Sequence, residues 1–329
     1  MSNTMNQATP ALVYGYYWGE DTIRKCKEEG KLLRLSIAIP GGPVTKPCNL
    51  RCIFCFTECG TRQNHGKVID NEMCLKFIKE GSKYAYDSDQ MSYFFVSEGE
   101  PTLNAGLVDV LTETSKLGGT MTIFSNLYDL TDEQFTVFSE LDNLFVCGKL
   151  YGITPEVNDY LTGKQGSYEA MMKNIRRLSE LGLAQEKRLG IQCVVTAYNY
   201  HEIFDMYKWA RENSIVPHLM MYRPQGLGSR HLELDLPQEK LLELYAKISE
   251  YDKEKYGYDW KPQLPLLVMG HCSVPGVNLY LTTNGDVHVC AGDVRSYGNY
   301  FDHSIETMMN SELYKNVINN YKICPWVTI

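Results

Sequence analysis

The feature that most constrains the fold is a regular alternation of short apolar runs with segments of helical period. The runs are Leu33 to Pro40, Met91 to Ser97, Thr120 to Ser125, Leu144 to Leu150, Leu189 to Thr196 and Pro217 to Tyr222. Each is short and bounded by turn residues, the pattern of a strand buried on both faces. Helical patterns lie between them at Asn71 to Tyr86, Ala105 to Leu117, a segment opened by Thr131-Asp132-Glu133, Ser167 to Leu181 with Glu169 as capping-box partner, and Tyr200 to Glu212. Such alternation implies an α/β fold with a parallel sheet, right-handed crossovers and functional loops at the carboxyl ends of the strands.

The loop after the first run carries the densest chemistry. Gly41-Gly42-Pro43 ends the strand, and Cys48, Cys52 and Cys55 follow in C-x3-C-x2-C spacing. Three thiols so spaced cannot share one helix face or one strand face, so a loop must wrap them around a common object. A metal centre is the natural object. Tetrahedral zinc wants a fourth Cys or His ligand, whereas a four-iron cluster on three thiolates keeps one iron open. The missing fourth ligand favours the cluster.

With Phe54 just before its last cysteine, this motif resembles the signature of the radical S-adenosylmethionine (radical SAM) enzymes. The resemblance covers about residues 34–225 and implies a partial (β/α)6 TIM-like barrel. It also implies a [4Fe-4S] cluster whose open iron chelates SAM, reductive cleavage of SAM to a 5'-deoxyadenosyl radical, and removal of a hydrogen atom from substrate. Cys59 is spare, because Cys52, Cys55 and Cys59 present the two spacings in the wrong order for the family. The turn Glu98-Gly99-Glu100-Pro101 resembles the family's GEP motif, which binds the SAM amino group. Later strand ends would supply the remaining SAM contacts, which puts Ser125, Asn126, Lys149, Gln192 and Tyr222 at the cofactor.

Lys149 and Arg223 read equally well as rim charges satisfied by solvent or a salt bridge. Cys147 and Cys193 lie in apolar strands, where a free thiol behaves as a small buried hydrophobe. In an epimerase a thiol facing the cavity would donate the final hydrogen atom. Cys193 and Cys147, with Tyr222 and Arg223, are therefore the catalytic candidates.

After a helix at Pro237 to Lys255 and a linker at Pro262-Gln263-Leu264-Pro265, the pattern changes. Val277 to Thr283 and Asp286 to Cys290 alternate as strands and are joined by Asn284-Gly285, a strong hairpin signal. Cys272 before this hairpin and Cys290 at its end resemble the opening of the auxiliary-cluster domains known as SPASM and twitch. Cys324, after the last helix, is the third ligand that this resemblance implies. Both domain types supply more cysteines than the chain offers here. His288, on the same strand face as Cys290, Asp293, solvent or substrate are alternatives for a fourth ligand. Zinc on the three thiolates is another reading, because zinc and iron-sulfur sites share ligand types. The expected organisation is a cap at residues 1–33, a core at 34–260 and an auxiliary domain at 261–329.

A chain of 329 residues that is 44% hydrophobic can build such a core without disulfides. Its 32 basic and 40 acidic residues leave a net charge of -8 with no Lys/Arg run, which argues against nucleic acid as a partner. No apolar run of roughly 18 residues and no signal-peptide pattern are found, so no membrane partner and a cytoplasmic location are expected. In that compartment the 11 cysteines are free thiols and metal ligands. An external electron donor such as flavodoxin or ferredoxin would supply the reducing equivalent. Residues 1–33 are too few for a peptide-recognition domain. The expected substrate is accordingly a small polar metabolite of sugar, aminocyclitol or nucleoside type, undergoing dehydrogenation or epimerisation. A maturase acting on a ribosomally made peptide is the alternative, and a zinc-holding scaffold without catalysis is the alternative from another class.

Overall fold

The computed structural model describes residues 13–16, 18–41, 47–58, 66–96, 98–260 and 274–320. After helix α1 (Glu20–Glu28), the chain forms β1 (Arg34–Ala38), α2 (Asn71–Gly81), β2 (Ser92–Val96), α3 (Leu107–Ser115) and β3 (Thr120–Phe124). It continues through α4 (Asp132–Glu140), β4 (Leu144–Lys149), α5 (Pro155–Thr162), α6 (Ser167–Glu180), β5 (Leu189–Val195), α7 (Tyr200–Glu212) and β6 (Val216–Met221). The helix α8 (Gln238–Tyr256) leads to β7 (Asn278–Leu281), β8 (Asp286–Cys290), β9 (Asp293–Asn299), α9 (Ile305–Met309) and α10 (Glu312–Asn320).

The sheet order is β6-β5-β4-β3-β2-β1-β7-β8-β9. Strands β1 to β6 pair in parallel with their sequence neighbours, giving the parallel α/β sheet that the alternation implies and the partial barrel that the radical SAM resemblance implies. The carboxy-terminal hairpin is part of the same sheet. Its first strand runs parallel to β1, with Arg34 opposite Asn278 and Ile37 opposite Leu281, and β8 and β9 follow antiparallel. Without β7, the outer edge of β1 would expose a row of unpaired peptide groups.

Alternation along each strand divides the core. On β2, Tyr93 and Phe95 pack outward among Phe77 and Ile78 of α2, while Phe94 faces inward with Phe124, Phe145 and Cys147. Val13, Tyr14 and Tyr16 join that inner cluster, and the Thr122 hydroxyl donates to the Tyr14 carbonyl oxygen at 3.0 Å. Among the described residues no helix is long and apolar enough to cross a membrane.

Two local details depart from the sequence expectations. Residues 155–162 form a helix, with Thr154 as N-cap, Pro155 in the first turn and Gly163 in the left-handed conformation at its end. The stretch is too short to show a clear helical period. Glu169 does not cap α6. The Asp159 carboxylate of the neighbouring α5 does so, accepting from Gly166 N (2.6 Å), Ser167 Oγ (2.8 Å) and Tyr168 N (2.8 Å). These hydrogen bonds hold the Asp159 pKa below its ordinary value against the opposing effect of burial. A carboxylate already seated on three donors leaves Glu169 no capping role.

Candidate active site

The cysteine loop is held from three sides by backbone. Glu100 N donates to the Pro47 carbonyl oxygen at 2.7 Å, just ahead of Cys48. Arg51 N and Ile53 N donate to the carbonyl oxygens of Thr162 and Leu161 at the end of α5, at 2.9 and 3.1 Å. Leu227 N donates to the Cys55 carbonyl oxygen at 2.9 Å. Two glycines permit the close approach. A Cβ on Gly99 would stand 2.3 Å from the Pro47 oxygen, and one on Gly163, at φ 62°, would stand 2.4 Å from the Arg51 oxygen. Gly99 is visible in the sequence as part of a motif, whereas the support from α5 is not.

Cys48, Cys52 and Cys55 line one cavity of about 260 Å³. Of the other sequence candidates, Phe54, Gly99, Glu100, Asn126, Lys149, Gln192, Tyr222, Arg223 and Cys290 line it too. The Phe54 ring meets Tyr151, also on the wall, edge to face at 4.8 Å. Cys272 and Cys324 lie outside the described residues, as does Cys59.

Neither candidate thiol of the strands reaches the cavity wall. On β5 it is Gln192 and Val194 that line the cavity. Cys193 belongs to the outer apolar cluster, fully buried, with the Asn199 side-chain nitrogen 3.6 Å from its sulfur. Strand alternation puts a residue and its neighbour on opposite faces. Cys147 is on the inner face but packs in the apolar layer with Phe124, Phe145 and Val216, while Lys149, two residues on, reaches the cavity. Burial raises both thiol pKa values and keeps both protonated, and it is their position behind the cavity wall that takes them out of reach of a substrate radical.

The two carboxylates of the Glu98-Gly99-Glu100-Pro101 turn do different work. Glu100 Oε1 accepts from Thr102 N (3.2 Å), Thr102 Oγ1 (2.9 Å) and Ser125 Oγ (2.6 Å), and Oε2 from Asn126 N (2.8 Å). This ties the turn, closed by the buried Pro101, to the end of β3. Asn126 in turn donates to Asn49 Oδ1 at 2.8 Å and lies 4.0 Å from Cys48 Sγ. Glu98 faces the hairpin. Its Oε2 accepts from Thr283 N (3.1 Å) and Thr283 Oγ1 (2.6 Å), and its Oε1 lies 3.4 Å from the Tyr280 hydroxyl. Tyr280 and Cys290 both line the cavity, so the hairpin forms one of its walls. Tyr222 is anchored by its hydroxyl, which donates to the Gly228 carbonyl oxygen at 2.7 Å.

The donor set fits a polynuclear cluster. Desolvation pushes the Cys52 pKa up, and the Cys55 and Cys48 sulfurs push it further, while Lys149 opposes them. Three thiols lining one cavity suit a cationic centre between them. Among the described residues no three His, Cys, Asp or Glu side chains converge on a single-ion site. Tetrahedral zinc would want a fourth Cys or His, whereas a four-iron cluster on three thiolates keeps one iron open. Of the alternatives for a fourth auxiliary ligand, Asp293 is engaged by Arg295 Nε at 3.0 Å, and His288 stands opposite Tyr280 with its pKa lowered by burial.

Residues 43–210, just over half of the chain, match the Radical SAM superfamily. The chain belongs to that superfamily. Residues 272–326 match the SPASM iron-sulfur cluster-binding domain. This radical SAM enzyme thus works with a [4Fe-4S] cluster and SAM, together with auxiliary iron-sulfur chemistry in the SPASM domain. Among curated relatives, it is 24% identical over 236 residues to Fe-coproporphyrin III synthase of Methanosarcina barkeri, covering 70% of this chain and 55% of that protein. It is also 24% identical over 274 residues to the mycofactocin maturase MftC of Mycobacterium tuberculosis, covering 78% of this chain and 67% of that one. The chain thus spans between about half and two thirds of the length of these relatives. In fold it resembles Streptococcus suis SuiB bound to the precursor peptide SuiA, with a TM-score of 0.70 and 16% identity, covering 91% of this chain and 70% of that one.

Several further relatives of the radical SAM enzyme bear names of peptide cyclisation or of killing-factor and bacteriocin production. Their predominance overturns the expectation of a sugar, aminocyclitol or nucleoside substrate. The small amino-terminal segment, from which that expectation came, does not discriminate between the two substrate classes.

Proposed function

We propose that this radical SAM enzyme is a maturase that modifies a ribosomally made peptide or protein in the cytoplasm, with electrons from an external flavodoxin or ferredoxin. The observation that carries the reading is the single cavity shared by Cys48, Cys52, Cys55 and Cys290. It joins the cluster loop of the barrel to the hairpin wall, and the names of the relatives support a peptide as the molecule that enters it.

In this reading Cys48, Cys52 and Cys55 hold the [4Fe-4S] cluster, and Cys272, Cys290 and Cys324 contribute to the auxiliary site. Phe54, Gly99, Glu100, Asn126, Lys149, Gln192 and Tyr222 bound the SAM site. Pro101 and Ser125 hold the Glu100 turn, Glu98 ties that turn to the hairpin, and Arg223 lies beside Phe56. When bound, cluster and SAM supply a reductive carbon-sulfur cleavage that generates a hydrogen-abstracting radical. The protein's part is positional. The Glu100 and Asn126 hydrogen bonds fix the loop, Lys149 offsets negative charge near Cys52, and Phe54 with Tyr151 excludes water from one side.

The reading is tested by incubating the anaerobically reconstituted enzyme with SAM, reductant and the peptide encoded by a short neighbouring gene. Mass spectrometry should show a modified peptide in step with 5'-deoxyadenosine. SAM consumption with an unaltered peptide would overturn it.

A further inference from the structure

We propose that Arg51 and Lys164, two cations seated on the backbone of the cysteine loop, raise the reduction potential of the cluster that Cys48, Cys52 and Cys55 hold. The proposal rests on those three ligands and holds for any substrate, so it stands apart from the maturase reading.

Both side chains are fixed on the loop by hydrogen bonds. Arg51 Nη1 donates to the carbonyl oxygens of Cys48 at 3.1 Å and of Leu50 at 2.7 Å. Lys164 Nζ donates to the Asn49 carbonyl oxygen at 3.1 Å and lies 3.8 Å from the centre of the Tyr128 ring. Three consecutive carbonyl groups, the first on a cluster ligand, thus meet two cations. The end of α5 brings the second cation into place, because its Leu161 and Thr162 carbonyl oxygens accept from Ile53 N and Arg51 N just ahead of Lys164. Neither cation is among the described residues that line the cavity, and neither pairs with a carboxylate of the described residues. Asp159 of α5 is already taken by the start of α6.

The side-chain amides of the loop are arranged in the same sense. Tyr128 N donates to Asn126 Oδ1 at 2.8 Å, which turns Asn126 Nδ2 toward Asn49 Oδ1 at 2.8 Å, with Cys48 Sγ at 4.0 Å. Asn49 Nδ2 is then a buried donor with no acceptor among the described residues. Buried donors are rarely left over, and one beside a ligand cysteine suits an electron-rich sulfur. The loop therefore offers donors and positive charge in excess. One electron from the external reductant, arriving without a proton, adds one negative charge at the cluster. Arg51 and Lys164 stabilise that added charge and so ease reduction. Arg51 is exposed and Lys164 half-buried, so solvent screens part of the effect.

The test is EPR-monitored potentiometry of the anaerobically reconstituted holoenzyme. The signal that changes on adding SAM marks the cluster in the barrel, and the auxiliary signal is the internal reference. Arg51→Gln and Lys164→Gln keep a hydrogen-bond donor and remove the charge. Each should shift the reduction equilibrium about threefold toward the oxidised form, about 28 mV, and the double variant about tenfold, about 59 mV. Arg51→Lys and Lys164→Arg change the shape and keep the charge, and their potentials should stay near that of the unaltered enzyme. A purely structural role would move both kinds of variant alike. Should Arg51→Gln fail to retain its iron, Lys164→Gln, which releases one carbonyl group only, carries the test alone. An unmoved potential in the neutral variants, an equal shift in the charge-conserving ones, or an equal shift of the auxiliary signal would overturn the proposal. Peptide modification does not enter this readout and reports on the maturase reading separately.

Discussion

Replacing Glu100 with Gln tests whether the Gly-Glu-Pro turn acts through its carboxylate as a structural tie. In the native protein two carboxylate oxygens take hydrogen bonds from two backbone amides and two hydroxyls, in a site 1% exposed. Gln is nearly isosteric but offers one oxygen, and its amide nitrogen must face either Asn126 N or the Thr102 and Ser125 group. At least one bond is lost and one buried N–H is left facing another. A hydrogen bond to a charged group contributes roughly 1.5–3 kcal/mol, and a buried unsatisfied group costs a further 1–3 kcal/mol. The expected destabilisation is about 3–4 kcal/mol. For a chain of 329 residues, with an unfolding entropy of about 0.7 kcal/mol/K, that lowers Tm by about 4–6 °C. Circular dichroism of the reduced apoprotein, at one scan rate and under anaerobic conditions, reads this directly. Because Asn126 carries the strain on to Asn49 and Cys48, the reconstituted variant should also yield less 5'-deoxyadenosine. An unchanged Tm would refute the tie, whatever happened to activity.

Other consequences can be checked with single substitutions. Cys193→Ala should leave SAM cleavage and peptide modification intact and cost about 1 kcal/mol of stability, whereas Cys48→Ala should abolish 5'-deoxyadenosine formation; inactivity of the former or ordinary turnover of the latter contradicts the geometry. Glu98→Ala removes the acceptor for Thr283 N, so hydrogen exchange at Thr283 should quicken and auxiliary iron should fall while the barrel cluster is retained. Equal loss from both clusters would mean that Glu98 acts on the barrel instead. His218 is buried on β6 against Tyr16, and burial lowers its pKa to about 4. The unfolded chain, with an ordinary His near 6.5, then binds more protons between these limits, so stability falls as pH drops from 6.5 to 4, by up to about 3 kcal/mol. His218→Phe should flatten the wild-type slope in that window, and an identical slope would show that His218 does not carry it.

Much of the barrel is legible in the sequence because its signals are local. Periods of two and of about 3.6 residues, turn residues and the cap at Thr131 are set by neighbours along the chain, and all six core strands fall where these signals place them. The C-x3-C-x2-C spacing is equally local, and its three thiols do share one cavity. Alternation could also have placed Cys193, since a cavity-facing Gln192 sends the next side chain outward. The helix α5, whose last carbonyl groups hold the cysteine loop, is too short for its period to be read with confidence from the chain alone.

What only the tertiary structure decided are contacts between residues far apart in sequence. Glu98 meets Thr283 across 185 positions, and Arg34 meets Asn278 across 244. Neither leaves a local pattern, because each depends on β7 running alongside β1. The cysteine spacing alone established that a loop must wrap three thiols around a common object. The hairpin wall, the face each thiol presents and the Arg34–Asn278 contact follow from strand pairing, which brings distant segments into register only once the sheet has formed.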